Sequence, residues 1–271
     1  MKKIILPAFA LLTFIASAQS PTFVSTAAEN KNIILEEFTG HACVACPSGH
    51  LIGQDLHNAN PNDVFLINIH TGSYANPIGP GTDFNTSFGG AIASQTGLCG
   101  YPAGTVNRRD FTANGWNQTS TNGCVATTAM SRSDWSSAAN LMLAEPSPVN
   151  VGLESSIDMA SNMLTVDVEV YYTGSQTITT NMLNIAIVQN GILGPQTGGA
   201  SGNPTAIDPS TGLYTHNHML RHMLTGQWGE QISNLTVGSL YANQFTWIIP
   251  NNINGVALDA TNLAVVAFVS E

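Results

Sequence analysis

Charge is what this sequence has least of. Only 9% of its 271 residues are Asp, Glu, Lys or Arg, and 7 basic residues face 17 acidic ones, for a formal net charge of −10. A chain so poor in cations has no electrostatic footprint for phosphate backbones or anionic lipid, so nucleic acid is excluded as a partner. Past the first residues, no stretch approaches the ~20 apolar residues a spanning helix needs. No transmembrane helix is therefore expected in the mature chain. Gly-x-Ser-x-Gly, P-loop and His-Glu-x-x-His motifs are all missing. Gly89-Gly90 and Gly198-Gly199 lack the strand-to-helix context of a phosphate cradle, and the acidic residues around Asp208 do not follow a calcium-loop pattern. Hydrolase, nucleotide-binding and calcium-binding classes fall away, and no cofactor is expected.

What is present begins with an export signal. Lys2 and Lys3 precede an apolar run from Ile4 to Ile15, and Ala16-Ser17-Ala18 is a small-x-small cleavage pattern. Residues 1–18 are expected to be removed, leaving a chain exported to the periplasm, the outer membrane or the cell surface. Four cysteines in an exported chain suggest oxidised pairs, although four allow three connectivities. Sequence proximity favours Cys43–Cys46 with Cys99–Cys124.

Length alone suggests two domains. After a polar leader (19–31), Ile33 to Phe38 reads as a buried strand, Pro47 to Asn58 as a helix and Val64 to Ile69 as a second strand. Strand, helix and strand in so short a span form a βαβ unit with parallel strands. A Gly- and Pro-rich insertion (71–90) leads to a short helix around Phe84 to Gln95. A strand runs through Val106-Asn107-Arg108, and Ser133 caps a closing helix to Glu145. Glu145-Pro146-Ser147-Pro148 breaks the chain, with 146–148 as linker. Beyond it, Val149 to Leu153 and Leu164 to Val170 alternate apolar with polar, and Met182 to Leu193, Phe245 to Ile249 and Leu263 to Val269 add strands. The expectation is an α/β domain over 32–145 followed by an all-β antiparallel sandwich (Ig/fibronectin-like) over 149–271. The final strand ends abruptly at Glu271, as if a partner strand or sorting tail followed.

The chemistry centres on Cys43-Val44-Ala45-Cys46, five residues after Phe38. A Cys-x-x-Cys at the mouth of a strand–loop–helix unit makes a redox dithiol. Cys43 at the helix N-terminus gains thiolate character, and Cys46, one turn on, resolves a mixed disulfide.

Three places carry a resemblance to the thioredoxin superfamily. They are the Leu35-to-Phe38 strand with its spacing to Cys43, Glu37 where many members hold a buried acid, and Tyr101-Pro102 where the family has its cis-proline. The resemblance implies that Cys43 and Cys46 are catalytic, that Glu37 accepts the Cys46 proton and that Pro102 shapes the substrate groove. The chain departs from the family in Ala42, where an aromatic residue is usual, in Val44-Ala45 between the cysteines, and in the inserted loop. Over nearly its whole length the chain resembles the 28-kilodalton outer-membrane-protein family of Bacteroidetes-type bacteria. Leu35-Glu36-Glu37-Phe38-Thr39-Gly40, the dithiol with Pro47 and His50, Tyr101-Pro102 with Val106-Asn107-Arg108, and Tyr214 to Arg221 carry that likeness. It implies an envelope location and the two-domain plan.

Other residues are weighed against simpler roles. Cys99 and Cys124 are expected to form a structural bridge; the sharper idea is exchange between Cys99 and the dithiol. His216, His218 and His222 form His-x-His-x3-His, a weak metal-ligand candidate beside the simpler reading of a polar interdomain loop. His41 and His50 flank the dithiol, Arg108 invites an ion pair, and Tyr74, Phe84 and Phe88 suit a small core of the insertion. The leading reading is thiol–disulfide exchange on envelope or extracellular proteins. The alternative is a non-catalytic surface binding or structural protein whose Cys43–Cys46 bond is a staple.

Overall fold

The computed structural model describes residues 20–270, so residues 1–19, with the export signal expected over 1–18, and Glu271 lie outside the described residues. The first half is built on β1 (Ile33–Thr39), α1 (Cys46–Ala59) and β2 (Val64–His70), with β1 and β2 parallel from Ile33↔Val64 to Thr39↔His70. α2 (Gly89–Thr96) follows, then β3 (Ala103–Val106), β4 (Asn117–Thr119), β5 (Val125–Ser131) and α3 (Trp135–Leu143). β3 runs antiparallel to β1 and β5 antiparallel to β3. α1 is slightly longer than the apolar spacing suggests. α2 starts five residues later than Phe84, because the insertion stays irregular until its glycines. α3 starts at Trp135 with Asp134 at its cap position, so Ser133 lies one residue too early to cap it.

The second half contributes β6 (Val149–Asp158), β7 (Met163–Tyr172), β8 (Asn181–Gln189), β9 (Ile192–Gly194), the short α4 (Gly199–Gly202), β10 (Tyr214–His216), β11 (Met219–Met223), β12 (Glu230–Ile232) and β13 (Leu240–Ile248). A small hairpin, β14 (Asn252–Ile253) and β15 (Val256–Ala257), precedes β16 (Leu263–Ser270). The chain is mostly β, in several sheets. Residues beyond the proline link do not keep to themselves. A nine-stranded sheet runs β12-β8-β11-β2-β1-β3-β5-β4, with β16 along β8. Within this sheet the halves join through a single parallel pairing, Met219↔Asn68, where the Asn68 N–H donates to the His218 carbonyl at 2.7 Å.

Three apolar layers result. On one face of the large sheet, Ile33, Leu35, Val64 and Leu66 pack under α1 and α3 with Trp135 and Met142. On the other face, Ile34, Phe38, Ile67 and Ile69 meet α2 and continue into Ala186, Val188 and Phe268. β8 is buried on both faces. Its alternate residues Leu183, Ile185 and Ile187 turn the other way, toward Leu164, Val166, Val168 and Val170 of the separate β13-β7-β6 sheet.

The polar leader is ordered as well. The buried Glu169 carboxylate on β7 accepts the Thr22, Phe23 and Val24 backbone N–H groups and the Thr22 hydroxyl, while Asn150 donates to the Ser25 and Ala27 carbonyls. Among the described residues, no helix is long and apolar enough to cross a membrane.

Candidate functional site

β1 delivers the chain to the dithiol. At Gly40, a Cβ would lie 2.4 Å from the Tyr74 backbone, so only glycine lets the insertion pass this close. The Cys43 N–H donates to the Gly40 carbonyl and the Ala42 N–H to the Tyr74 carbonyl, both at 3.0 Å. Cys43 and Cys46 form a disulfide. α1 begins at Cys46, not at Cys43, with Pro47 in its first turn, where a missing N–H costs nothing. The helix N-terminus is thus at the second sulfur, and Cys43 belongs to the turn before it. Both cysteines are buried, Cys43 at 3% exposure, while Val44 between them is 66% exposed.

Pro102, buried and preceded by a cis peptide bond from Tyr101, reaches the first turns of α1 beside Gly49. Glu37 lies beneath the same turns. A Cβ on Gly49 would stand 2.6 Å from Glu37 Oε1, and one on Gly53 3.9 Å from Oε2. Cys46, Gly49 and Gly53 share one helical face, so the carboxyl sits one turn below the second cysteine. Burial pushes the Glu37 carboxyl well above the usual carboxylate range, with the Arg132 charge pulling the other way. Its Oε1 has no hydrogen-bond partner.

Four histidines crowd the same face. His50 Nε2 is 2.8 Å from Thr39 Oγ1 and 3.7 Å from Glu37 Oε1, and its Nδ1 is 2.8 Å from the Tyr214 hydroxyl. Asn203 Nδ2 donates to that hydroxyl at 3.2 Å. His70 and His216 stand edge to face at 5.2 Å, and both pack on Phe84, as does His41. Burial holds His50 near 4 and His216 near 3, and His70 well below its ordinary value, so these imidazoles are neutral at pH 7. A polar cavity of about 190 Å³ opens beside them, lined by His50, His70, Asn203, Tyr214, His216 and His218.

A strap from the second half crosses the dithiol loop. The Gln196 side-chain amide donates to the Cys43 carbonyl at 3.0 Å and the Gly40 carbonyl at 3.3 Å, and the Thr197 N–H donates to the His41 carbonyl at 2.7 Å. Gly198, at positive φ, lets the strap reach Val44: a Cβ there would be 2.4 Å from the Val44 carbonyl oxygen.

The remaining sequence candidates lie elsewhere. Cys99 and Cys124 are bonded to each other across 25 residues, leaving no free thiol among the described residues. His216, His218 and His222 do not converge. His218 turns to Gln54 and His57, and His222 stacks on Trp247 at 4.7 Å. Among the described residues, no group of three or more His, Cys, Asp or Glu side chains is placed to hold a metal ion. Arg108 pairs with Glu36 on the opposite face of β1. Phe84 belongs to the histidine cluster, and Phe88 packs against His222. Tyr214, Gln196, Asn203 and His70 carry no sequence signal linking them to the dithiol.

A family described as outer membrane protein Omp28 matches residues 90–271, beginning after the dithiol. No curated protein matches the chain. Among solved structures, HBP35 of Porphyromonas gingivalis superposes with a TM-score of 0.62 at 17% identity, covering 89% of this chain and 69% of that one. The two share a fold. A domain of the outer membrane lipoprotein Omp28 from the same organism aligns at 18% identity and a TM-score of 0.29, covering 45% of this chain and 75% of the domain.

Proposed function

The chain belongs to the outer membrane protein Omp28 family, which places it at the cell envelope, and from that premise we propose that it exchanges thiols and disulfides with exported proteins there. The reading takes residues 32–145 as a thioredoxin-like unit and 149–271 as a β-sandwich-like unit that extends its sheet and covers its dithiol. One observation carries it: the Cys43–Cys46 disulfide stands at the start of α1 with Pro102 and the buried Glu37 against the same two turns. In the reduced protein the Cys43 thiolate attacks a substrate disulfide and displaces one substrate thiolate. Cys46 then loses its proton to Glu37 and attacks the Cys43 sulfur, releasing the second substrate thiolate. The substrate disulfide is reduced and the Cys43–Cys46 bond is made; the reverse sequence oxidises a substrate dithiol.

A second reading has its own support. Cys43 is almost fully covered and its loop is tied to Gln196 and Thr197, as suits a staple in a surface binding protein. The reduction potential separates the two, measured by equilibration in thiol buffers with mass-resolved alkylation. A value between roughly −270 and −120 mV supports exchange. One below about −300 mV, or a bond no buffer opens, supports the staple.

A further inference from the structure

Glu37 is 1% exposed, and its Oε1 is buried without a partner, so a proton it takes from Cys46 onto that oxygen does not meet water directly. The polar group placed next to that oxygen is His50 Nε2, at 3.7 Å. The opposite nitrogen of the same ring is hydrogen-bonded to Tyr214, 164 residues away in sequence, and both residues line the polar cavity. We propose that His50 and Tyr214 form a proton route between Glu37 and this cavity, so that a residue of the second half completes the proton chemistry of the dithiol. This rests on the exchange reading above.

The route balances. When Cys46 attacks the mixed disulfide, its proton moves to the Glu37 carboxylate and the substrate leaves as a thiolate. Glu37 then passes the proton to His50 Nε2, and Nδ1–H gives its own to the Tyr214 oxygen. The Tyr214 hydroxyl proton goes to water in the cavity. A shift of about 1 Å, in which the Thr39 hydroxyl gives up its hydrogen bond to Nε2, brings Glu37 and His50 from their present separation to hydrogen-bond distance. Asn203, as a donor to the Tyr214 oxygen, orients the hydroxyl. The charged and titratable groups around the route are Arg132 near Glu37, His41 from the dithiol loop, His70 on β2, His216 on β10, the buried Arg221 on β11 and, across the cavity, His218 between β10 and β11. Burial keeps His50, His70 and His216 neutral, so His50 carries a proton only in transit. That suits a conductor and not a store.

The test is a single-turnover reaction of the reduced protein with a nitrobenzoate disulfide, following release of the second chromophoric thiolate in the wild type, Tyr214→Phe and His50→Gln across pH. Slowing of at least about tenfold near pH 7, recovering at high pH or with concentrated small buffers, is the expected result. Unchanged rates, or equal slowing at every pH, would overturn the route while leaving exchange intact. A wild type that never releases the second thiolate would overturn the exchange reading and the route together. Tyr214→Phe keeps the ring, so loss of folding is checked by comparing its thermal midpoint with that of wild type.

Discussion

Glu36 and Glu37, neighbours in sequence, stand on opposite faces of β1 and meet opposite surroundings. Glu36 accepts a two-pronged contact from Arg108, Nε to Oε2 and Nη2 to Oε1, both at 2.7 Å. Glu37 faces the glycines of α1, with burial pushing its carboxyl well above the usual range against the pull of Arg132. Period-two geometry thus turns one acid into a structural ion pair and the other into a protonatable group under the dithiol.

The pair lies within the first half, but its Arg108 also reaches the second, lying over the Phe268 ring at 5.2 Å and donating to Asn184. Arg108→Met leaves the Glu36 carboxylate buried without a partner, and a loss of about 3–5 kcal/mol is expected. The double variant with Glu36→Gln should lose less. Denaturant unfolding of all three proteins checks both statements, and equal losses would mean the pair matters only through packing.

Gly49 carries a second prediction. Gly49→Ala puts a methyl 2.6 Å from Glu37 Oε1, 3.2 Å from Trp135 and 3.3 Å from Pro102. These neighbours are buried and cannot all retreat, so overpacking of about 1–3 kcal/mol is expected although alanine favours helices. A higher unfolding midpoint would show that the carboxyl moves freely.

Part of this arrangement is legible in the sequence. The runs Ile33–Phe38 and Val64–Ile69 are apolar on both faces because both faces are covered, and the Cys-x-x-Cys and Tyr101-Pro102 mark the loops that meet at α1. Alternation over Leu164–Val170 marks β7 for the opposite reason: only one of its sides faces β8. Register and partner are another matter. Nothing in Tyr214-Thr215-His216 names His50 as its neighbour, and nothing in Met219 announces that β11 lies along β2, because strand patterns encode a face and not an edge. The polar leader offers no period to read, since apart from the Thr22 hydroxyl Glu169 holds it by backbone N–H groups, which leave no side-chain signature.

Glu169 makes that clasp pH-dependent. Burial opposes its ionisation, but the Thr22 hydroxyl and the Phe23, Val24 and Thr22 N–H groups hold it down to about 2 from an ordinary 4.5. A folded value below the unfolded one means the stabilisation is full above about 4.5 and fades as pH falls toward 2. Glu169→Gln should be less stable than wild type at pH 7, with the difference shrinking through that window. Thermal unfolding between pH 7 and pH 2 reads it; a constant difference would place the loss elsewhere.

The strap yields the last prediction. Gln196→Ala removes the side-chain contacts that tie it to Gly40 and Cys43. Losing about 1–2 kcal/mol of restraint raises the open population about five- to thirtyfold. Reduction of Cys43–Cys46 by a small thiol should accelerate to match, as followed by timed alkylation and mass measurement. An unchanged rate would show that access is not what limits the bond.

β8 has hydrogen-bonded neighbours on both edges and apolar cover on both faces, and it lies downstream of the proline link. β11, the strand that pairs with β2, comes after the link as well, so a chain that has emerged only as far as its first half has β2 without the strand beside its edge. The dithiol at that moment has no strap across it. Closure of the sheet and covering of the cysteines are then late events in the life of the chain, and both wait on residues that arrive last.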